Sequence, residues 1–139
     1  MRSARVFGWT QAIVVAALLL TASVSSAVSL EGAWVRVWPA PDVTDSPPVK
    51  ILAGAHFAFG EQSADGSTAL AGGGTYKVVG DVYLETIEYH YMPELIGQTI
   101  AFSCRIQDGQ WHHAAQFTID GRQFDIREIW QKIEDTASQ

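Results

Sequence analysis

Two Asp-Gly pairs near the C-terminal end constrain the fold of this chain most strongly. Asp108-Gly109 and Asp120-Gly121 each separate two runs in which apolar and polar residues alternate. Asp-Gly between such runs predicts a two-residue β-hairpin turn, because a type I′ turn needs positive φ at both central residues. The chain from Gln98 to Lys132 is therefore predicted to form a three-stranded meander.

The register of this meander follows from counting away from the two turns. Cys104 is predicted to face His113, and His113 to face Glu128, so these side chains form a row across three strands. A shift of one residue would move every side chain to the other face, and the chosen register pairs apolar residues almost throughout. The other predicted pairs on this face are Ile106–Trp111, Phe102–Ala115, Ile100–Phe117, Phe117–Phe124, Ala115–Ile126 and Trp111–Trp130.

A thiol, an imidazole and a carboxylate on an apolar face require an explanation. Buried His and Glu side chains cost several kcal/mol unless they bind each other, water or a ligand. Cross-strand neighbours are close enough for a hydrogen bond between His113 and Glu128. The pair is predicted to orient a ligand; the alternatives are a satisfied structural pair and acid–base catalysis with Glu128 orienting His113. Cys104 is predicted to line the site rather than act as a nucleophile.

The N-terminus has the pattern of a secretory signal peptide over residues 1–27. A short basic stretch, Met1–Arg5, precedes the apolar run Ala12–Leu20, and Ser25-Ser26-Ala27 supplies the small residues of a cleavage site. The pattern predicts export to the periplasm or the medium. The alternative is an uncleaved membrane anchor, for which the apolar run is short.

Charge and cysteine content narrow the possible partners of the exported chain. The full sequence has 9 basic and 15 acidic residues. Cleavage of the predicted signal peptide removes Arg2 and Arg5, which leaves 7 basic and 15 acidic residues and a net charge of −8. Nucleic acid and anionic membranes are therefore poor partners. With Cys104 as the one cysteine, no internal disulfide can form. We predict one domain over residues 28–134 and a tail over 135–139, with the oligomeric state left open.

Apolar alternation predicts four further strands before the meander. These segments are Leu30–Trp38, Val49–Gly60, Thr68–Val79 and Val82–Tyr91, which with the meander make seven strands. Strands joined mostly by hairpins predict an all-β fold, either an up-and-down barrel or a sandwich. Read as one strand, the second segment points Ala53, Ala55, Phe57 and Phe59 inward and His56 outward.

A third hairpin is predicted around Gly80-Asp81. Counting from this turn pairs Val78 with Tyr83, Tyr76 with Glu85, Gly74 with Ile87 and Gly72 with Tyr89. This register points Tyr76, Glu85 and Tyr89 toward the apolar side of the sheet and His90 toward solvent.

Several segments resemble the lipocalins of the calycin superfamily, and small bacterial lipocalin-like proteins in particular. Leu30-Glu31-Gly32-Ala33-Trp34 is similar to the Gly-x-Trp of the first lipocalin strand. The other matching segments are Lys50–Gly54, Gly72–Tyr76, Asp108–His112 and Glu128–Trp130. The resemblance implies an up-and-down barrel of about eight strands with an internal cavity. It implies that Trp34 packs across the closed end beneath a basic residue of the last strand, for which Arg127 is the candidate. The eighth strand is expected within Thr68–Val79 or Glu94–Gly97.

Together these observations predict an exported lipocalin-like barrel that binds a small hydrophobic molecule. The predicted lining comprises Phe57, Tyr76, Glu85, Tyr89, Phe102, Cys104, Trp111 and Trp130 around the His113–Glu128 pair. The alternatives are a small enzyme of the isomerase or dehydratase type, which uses that pair as an acid–base dyad, and a filled structural or protein-binding barrel. No metal or cofactor is predicted, because the adjacent His112 and His113 point to opposite faces of a strand; haem bound through His113 is a minor alternative.

Overall fold

Eight antiparallel strands follow one another around a closed barrel in the computed structural model, which describes residues 28–42 and 46–134. The strands are β1 (Gly32–Trp38), β2 (Val49–Ala53), β3 (His56–Gln62), β4 (Ala69–Val79), β5 (Val82–His90), β6 (Thr99–Gln107), β7 (Gln110–Ile119) and β8 (Arg122–Lys132). A 3₁₀ turn, Pro93–Leu95, lies between β5 and β6. Because β1 pairs with β8, the sheet closes on itself. The predicted all-β up-and-down barrel is confirmed.

Both ends of the sequence lie outside the described residues. The predicted signal peptide, 1–27, and the predicted tail, 135–139, are among them. Within the described part of the chain, no helix combines the length and the apolar character that a membrane crossing requires.

The Asp-Gly turns set the register of the final meander as predicted. Asp108 and Asp120 have φ angles of 53° and 50°, and the glycine that follows each of them also has a positive φ angle. Cys104 pairs with His113, which pairs with Glu128 across the next ladder. The predicted apolar pairs between β7 and β8 are all present.

The predicted pairing of β6 with β7 is wrong in its outer half. The ladder from the Asp108-Gly109 turn ends at the pair Ser103–Ala114, so Phe102 and Ile100 do not pair with β7. They pair with β5 instead, opposite Tyr83 and Glu85 respectively. This change of partner follows from barrel closure. Each strand of a closed barrel is tilted, so one part of it pairs with the preceding strand and the other part with the following strand.

The segment Val49–Gly60 is two strands rather than one. Gly54 and Ala55 form a tight turn between β2 and β3, with Gly54 at φ 57°. Glycine at the first central position is typical of a type II′ hairpin. The eighth strand therefore arises here, and the expectation that it lay within Thr68–Val79 or Glu94–Gly97 is wrong.

This turn reverses the direction of the side chains in β2. Lys50 and Leu52 are buried, whereas Ala53 and Ala55, predicted to point inward, are exposed. Phe57, beyond the turn in β3, is buried as predicted. The two-residue turn therefore places all five residues of β2 on the opposite face of the sheet from the one that a single continuous strand would give them.

A β-bulge changes the register of the β4–β5 hairpin beyond its first half. Val78–Tyr83, Tyr76–Glu85 and Gly74–Ile87 pair as predicted. Gly73 then pairs with Tyr89, because Glu88 is an extra residue in β5, and the predicted pair Gly72–Tyr89 is not formed.

The bulge exchanges the predicted positions of two aromatic side chains. Tyr89, predicted to line the interior, is 51% exposed. His90, predicted to face solvent, is half-buried and faces the interior. The neighbouring glycines permit this arrangement: a Cβ on Gly73 would collide with the Tyr89 phenol, and one on Gly74 with the backbone of β5.

Trp34 packs across one end of the barrel interior. Its indole nitrogen donates a hydrogen bond of 2.8 Å to the carbonyl of Leu30, and its ring lies 5.6 Å from that of Trp111. Lys132 Nζ lies 5.7 Å from the Trp34 ring centroid. Lys132 is therefore the basic residue of the last strand at this position; Arg127 lies on the exposed outer face.

Candidate functional site

An internal cavity of about 120 Å³ lies within the barrel, and Trp34 is not among its lining residues. Its apolar lining is Pro48, Phe59, Ile87, Met92, Leu95, Ile100, Phe102, Ile126 and Trp130. Its polar lining is Arg36, Lys50, Glu61, Glu85, His90, Tyr91, His113 and Glu128. A cavity of about 150 Å³ can hold benzene, so this space suits only a small molecule.

A buried ion pair forms the floor of the cavity. Lys50 Nζ lies 2.7 Å from Glu85 Oε1, and the two residues are 4% and 6% exposed. The Tyr83 hydroxyl donates a second hydrogen bond, of 3.0 Å, to the same carboxylate oxygen. Burial, followed by the charge of Glu85, raises the pKa of Tyr83 and keeps it a donor. Each charge at the floor therefore has a direct partner.

Four aromatic rings surround the Lys50 ammonium group. Their centroids lie 5.3 to 5.6 Å from Nζ, and they belong to Phe57, Tyr83, Trp111 and Trp130. Ring faces attract cations at such distances, and the attraction strengthens where water is excluded. These rings replace part of the hydration that Lys50 loses on burial.

Lys50 is the main interior residue that the sequence interpretation missed. Treating Val49–Gly60 as one strand placed Lys50 outside the barrel. The signal that would have found it is Gly54 followed by Ala55, since Gly-X is also a hairpin turn pattern. Arg36, Glu61 and His90 were likewise absent from the predicted site.

His113 is fully enclosed and neutral. It is 2% exposed, and its ring stacks on Phe102 with centroids 3.9 Å apart. Burial, followed by the charge of Lys50, holds the pKa of His113 well below its usual value. Nδ1 has no hydrogen-bond partner among the described residues.

His113 and Glu128 are neighbours, but they are not hydrogen-bonded. His113 Nε2 lies 3.9 Å from Glu128 Oε2, which exceeds hydrogen-bond length. Glu128 instead accepts a 3.0 Å bond from the Trp130 indole and lies 3.6 Å from Arg36. The expected hydrogen bond between the pair is therefore not formed, although the two side chains are adjacent as predicted.

Arg36 lies between two carboxylates at the partly solvated side of the cavity. Its Nη1 is 3.3 Å from Glu61 and 3.6 Å from Glu128, and we call these three residues the Arg36 cluster. Burial raises the pKa of Glu61, and the nearby Glu128 and Asp42 add to this while Arg36 opposes it. With two carboxylates and one guanidinium group, the cluster contains more negative than positive charge.

Three rings adjoin the Arg36 cluster. His90 stacks on Tyr91 at 4.5 Å, and Phe59 lies 5.3 Å from His90. His90 Nδ1 accepts a 2.9 Å hydrogen bond from the backbone of Met92, and burial lowers its pKa. Burial raises the pKa of Tyr91, with Glu61 and Glu128 adding to the effect. All three rings are therefore uncharged near neutral pH.

The predicted site residues occupy different positions in the barrel. Those lining the cavity are Glu85, Phe102, His113, Glu128 and Trp130. Phe57 and Trp111 lie around Lys50 instead, and Tyr76 packs against Tyr83 at 5.4 Å outside the cavity lining. Tyr89 is on the outer surface, so its assignment to the lining is wrong.

Cys104 is buried but does not line the cavity. Burial raises the pKa of its thiol, and this outweighs the lowering effect of the Trp111 indole. A thiol with a raised pKa is a poor nucleophile near neutral pH. The described residues also contain no group of three His, Cys, Asp or Glu side chains that could hold a metal ion.

Comparison with protein families finds a match over most of the chain. The family model described as "Domain of unknown function (DUF4488)" matches residues 29–139, which include the whole barrel. No curated protein matches the chain.

Proposed function

The chain belongs to the DUF4488 family, a domain of unknown function, and we propose that it is an exported lipocalin-like barrel that binds a small, largely hydrophobic molecule. The observation that carries this proposal is the two-sided cavity beside the Lys50–Glu85 pair. One wall is aliphatic and aromatic, and the other consists of a few charged or polar side chains. Small-molecule sites typically combine apolar walls with a few placed polar groups.

The volume limits the size of the ligand. About 120 Å³ is smaller than the ~300–1,000 Å³ that is typical of pockets for drug-sized molecules. The proposed ligand is therefore about the size of a single ring or a short chain. Ile87, Ile100 and Ile126 would contact its apolar body.

The geometry supports binding better than the alternative of proton-transfer catalysis by a His113–Glu128 dyad. In such a dyad the carboxylate would orient the imidazole through a hydrogen bond. Here Glu128 is held by Trp130 and Arg36, and 3.9 Å separates it from His113. We therefore assign Glu128 to the wall of a binding site.

The test uses a variant that fills the cavity. Mass spectrometry of the protein recovered from the periplasm or medium identifies small molecules that co-purify, and calorimetry then measures their affinity. Ile126→Trp places a large ring in the cavity and is expected to abolish binding. Ile51→Trp, on the outer surface where Ile51 is 53% exposed, is the matched control and should bind normally.

The proposal is wrong if Ile126→Trp binds the co-purified molecule as tightly as Ile51→Trp does. Circular dichroism of both variants establishes that each retains the β-barrel before the affinities are compared. Recovery of the molecule from both variants alike would likewise place it outside the cavity.

A further inference from the structure

The charges of the cavity wall do not balance. Among the described residues, this wall has two cations and three carboxylates, namely Arg36, Lys50, Glu61, Glu85 and Glu128. His90 and His113 add no charge near neutral pH, because burial lowers the pKa of each. The wall therefore has one more negative charge than positive.

This surplus lies in the Arg36 cluster. Lys50 and Glu85 form a closed pair at 2.7 Å, which leaves two carboxylates to share the guanidinium group of Arg36. The pKa of Glu61 is raised even with Arg36 at 3.3 Å, by burial and by the carboxylates of Glu128 and Asp42. A further cation beside Glu61 and Glu128 would reduce this repulsion.

The neighbouring rings also favour a cation. Phe59, His90 and Tyr91 adjoin the carboxylates, and the pKa of Tyr91 is raised first by burial and then by the charges of Glu61 and Glu128. The faces of such rings attract ammonium groups through their quadrupoles. The combination of surplus carboxylate and ring faces is unfavourable for an anionic ligand.

His113 is compatible with a cation in this part of the cavity, because it lies beside Glu128 and is neutral. Its side chain lines the cavity, is almost completely buried, and has no partner at Nδ1 among the described residues. The Glu128 carboxylate, 3.9 Å from Nε2, favours the tautomer with the proton on Nε2. The Nε2–H then faces Glu128, and the neutral imidazole brings no positive charge that would oppose an ammonium group there.

We infer that the cavity takes a small protonated amine with a short apolar body. The inference rests on the proposed function, because it assigns a chemical class to the ligand of that same cavity. The ammonium group lies beside Glu61 and Glu128, and the hydrocarbon part contacts Ile87, Ile100 and Ile126. A volume of about 120 Å³ is slightly below the ~150 Å³ that holds benzene, so the apolar body has one ring at most and the ammonium group extends to the partly solvated Arg36 cluster.

Three probes of nearly equal shape and different charge test this inference. Isothermal titration calorimetry at pH 7 measures the binding of benzylamine, benzyl alcohol and benzoate to the exported protein. We expect benzylamine to bind about tenfold more tightly than benzyl alcohol, and benzoate to bind most weakly.

A matched pair of variants separates the site from the overall charge of the protein. Glu61→Gln removes the surplus charge and is expected to weaken benzylamine binding about tenfold, a much larger change than for the uncharged benzyl alcohol. Glu88→Gln removes an exposed carboxylate outside the cavity lining and should change neither affinity by more than about twofold.

Three results would contradict the inference. If benzyl alcohol or benzoate binds at least as tightly as benzylamine, the inference is wrong and the proposed function stands. If Glu61→Gln and Glu88→Gln weaken benzylamine binding equally, the attraction comes from the whole protein and the inference is again wrong. If none of the three probes binds, the inference is wrong, and the proposed function is decided separately by the co-purified molecule and Ile126→Trp.

Discussion

The barrel interior contains two charged centres that differ in how completely the protein satisfies them. At the floor, Lys50 and Glu85 are paired at 2.7 Å, and Tyr83 supplies a further hydrogen bond. In the Arg36 cluster the distances are longer, 3.3 and 3.6 Å, and two carboxylates share one guanidinium group. Buried charge alone therefore does not mark a binding site. An ion pair with all its partners supports the fold, whereas an unbalanced cluster leaves an interaction for a ligand.

The largest expected effect comes from breaking the balanced centre. Lys50→Met leaves the Glu85 carboxylate buried without its cation, so we expect a loss of about 3 to 5 kcal/mol in the free energy of unfolding. Urea denaturation at pH 7 measures this loss. The double variant Lys50→Met/Glu85→Gln removes both charges and should recover most of it. A loss below about 1 kcal/mol for Lys50→Met would show that the floor pair is not essential to the fold.

Acidification probes His113, which lies between the two centres. Its pKa in the folded protein is well below the unfolded value of about 6.5, so below that pH only the unfolded chain readily binds a proton. Stability should therefore fall as the pH decreases from about 6.5, by up to about 1.4 kcal/mol per pH unit, with no contribution from His113 above pH 7.

Urea denaturation between pH 5 and 7 checks this dependence on two variants. His113→Gln should reduce the slope of stability against pH, whereas His56→Gln, at an exposed position, should retain it. An unchanged slope in His113→Gln would mean that another group causes the acid sensitivity.

A smaller effect is expected from removing the cation of the unbalanced centre. Glu61 and Glu128 are partly solvated, so Arg36→Met should cost only about 1 kcal/mol in the free energy of unfolding. Arg122→Met, which breaks an exposed ion pair with Glu94, is the matched control and should cost less than about 0.5 kcal/mol. If Arg36→Met destabilised the protein as much as Lys50→Met, the distinction between the two centres would fail.

Salt is expected to produce the smallest effect. Dissolved ions screen partly exposed charges better than buried ones, so 0.5 M NaCl should lower the cost of Arg36→Met by about 0.5 kcal/mol. The cost of Lys50→Met should stay the same within error, because its environment excludes water. Urea denaturation of both variants with and without salt measures these two changes. If salt lowered the cost of Lys50→Met as much as that of Arg36→Met, the two centres would not differ in their exposure to solvent.

The register of the final meander could be predicted because its information is local. Asp108-Gly109 and Asp120-Gly121 are strong turn signals, and apolar pairs on one face exclude a slip. Together they placed Cys104, His113 and Glu128 in one row, and that row is present. Turn chemistry and side-chain alternation are sufficient close to a turn, but the predicted pairs of Phe102 and Ile100 with β7 were wrong because these residues pair with β5.

The rest of the site depended on irregularities that alternation does not reveal. Gly54-Ala55 lies inside an apparently continuous apolar strand, and overlooking that turn placed Lys50 on the wrong face. The bulge at Glu88 exchanged Tyr89 and His90 in the same way. Both errors have one cause: side chains alternate with a period of two, so a single irregularity reverses every assignment beyond it.

The ion-pair partners could not be obtained from strand pairing alone. Arg36 and Glu61 belong to strands that are not neighbours in the sheet, and they meet only because side chains converge across the barrel interior. The same is true of Lys50 and Glu85. Predicting such contacts requires the curvature of the closed barrel as well as the register of each hairpin.

The pairing of β1 with β8 makes the barrel a closed ring of strands, in which β1 and β8 are neighbours in space. The Ile133 amide donates a 2.8 Å hydrogen bond to the carbonyl of Ala33, so the first and last strands run side by side. A short linker from residue 134 to residue 28 would join them, and Gly54-Ala55 is an exposed hairpin at which new termini can be opened. Such a circular permutant would contain the same strands in the same spatial order, with a different strand synthesised first.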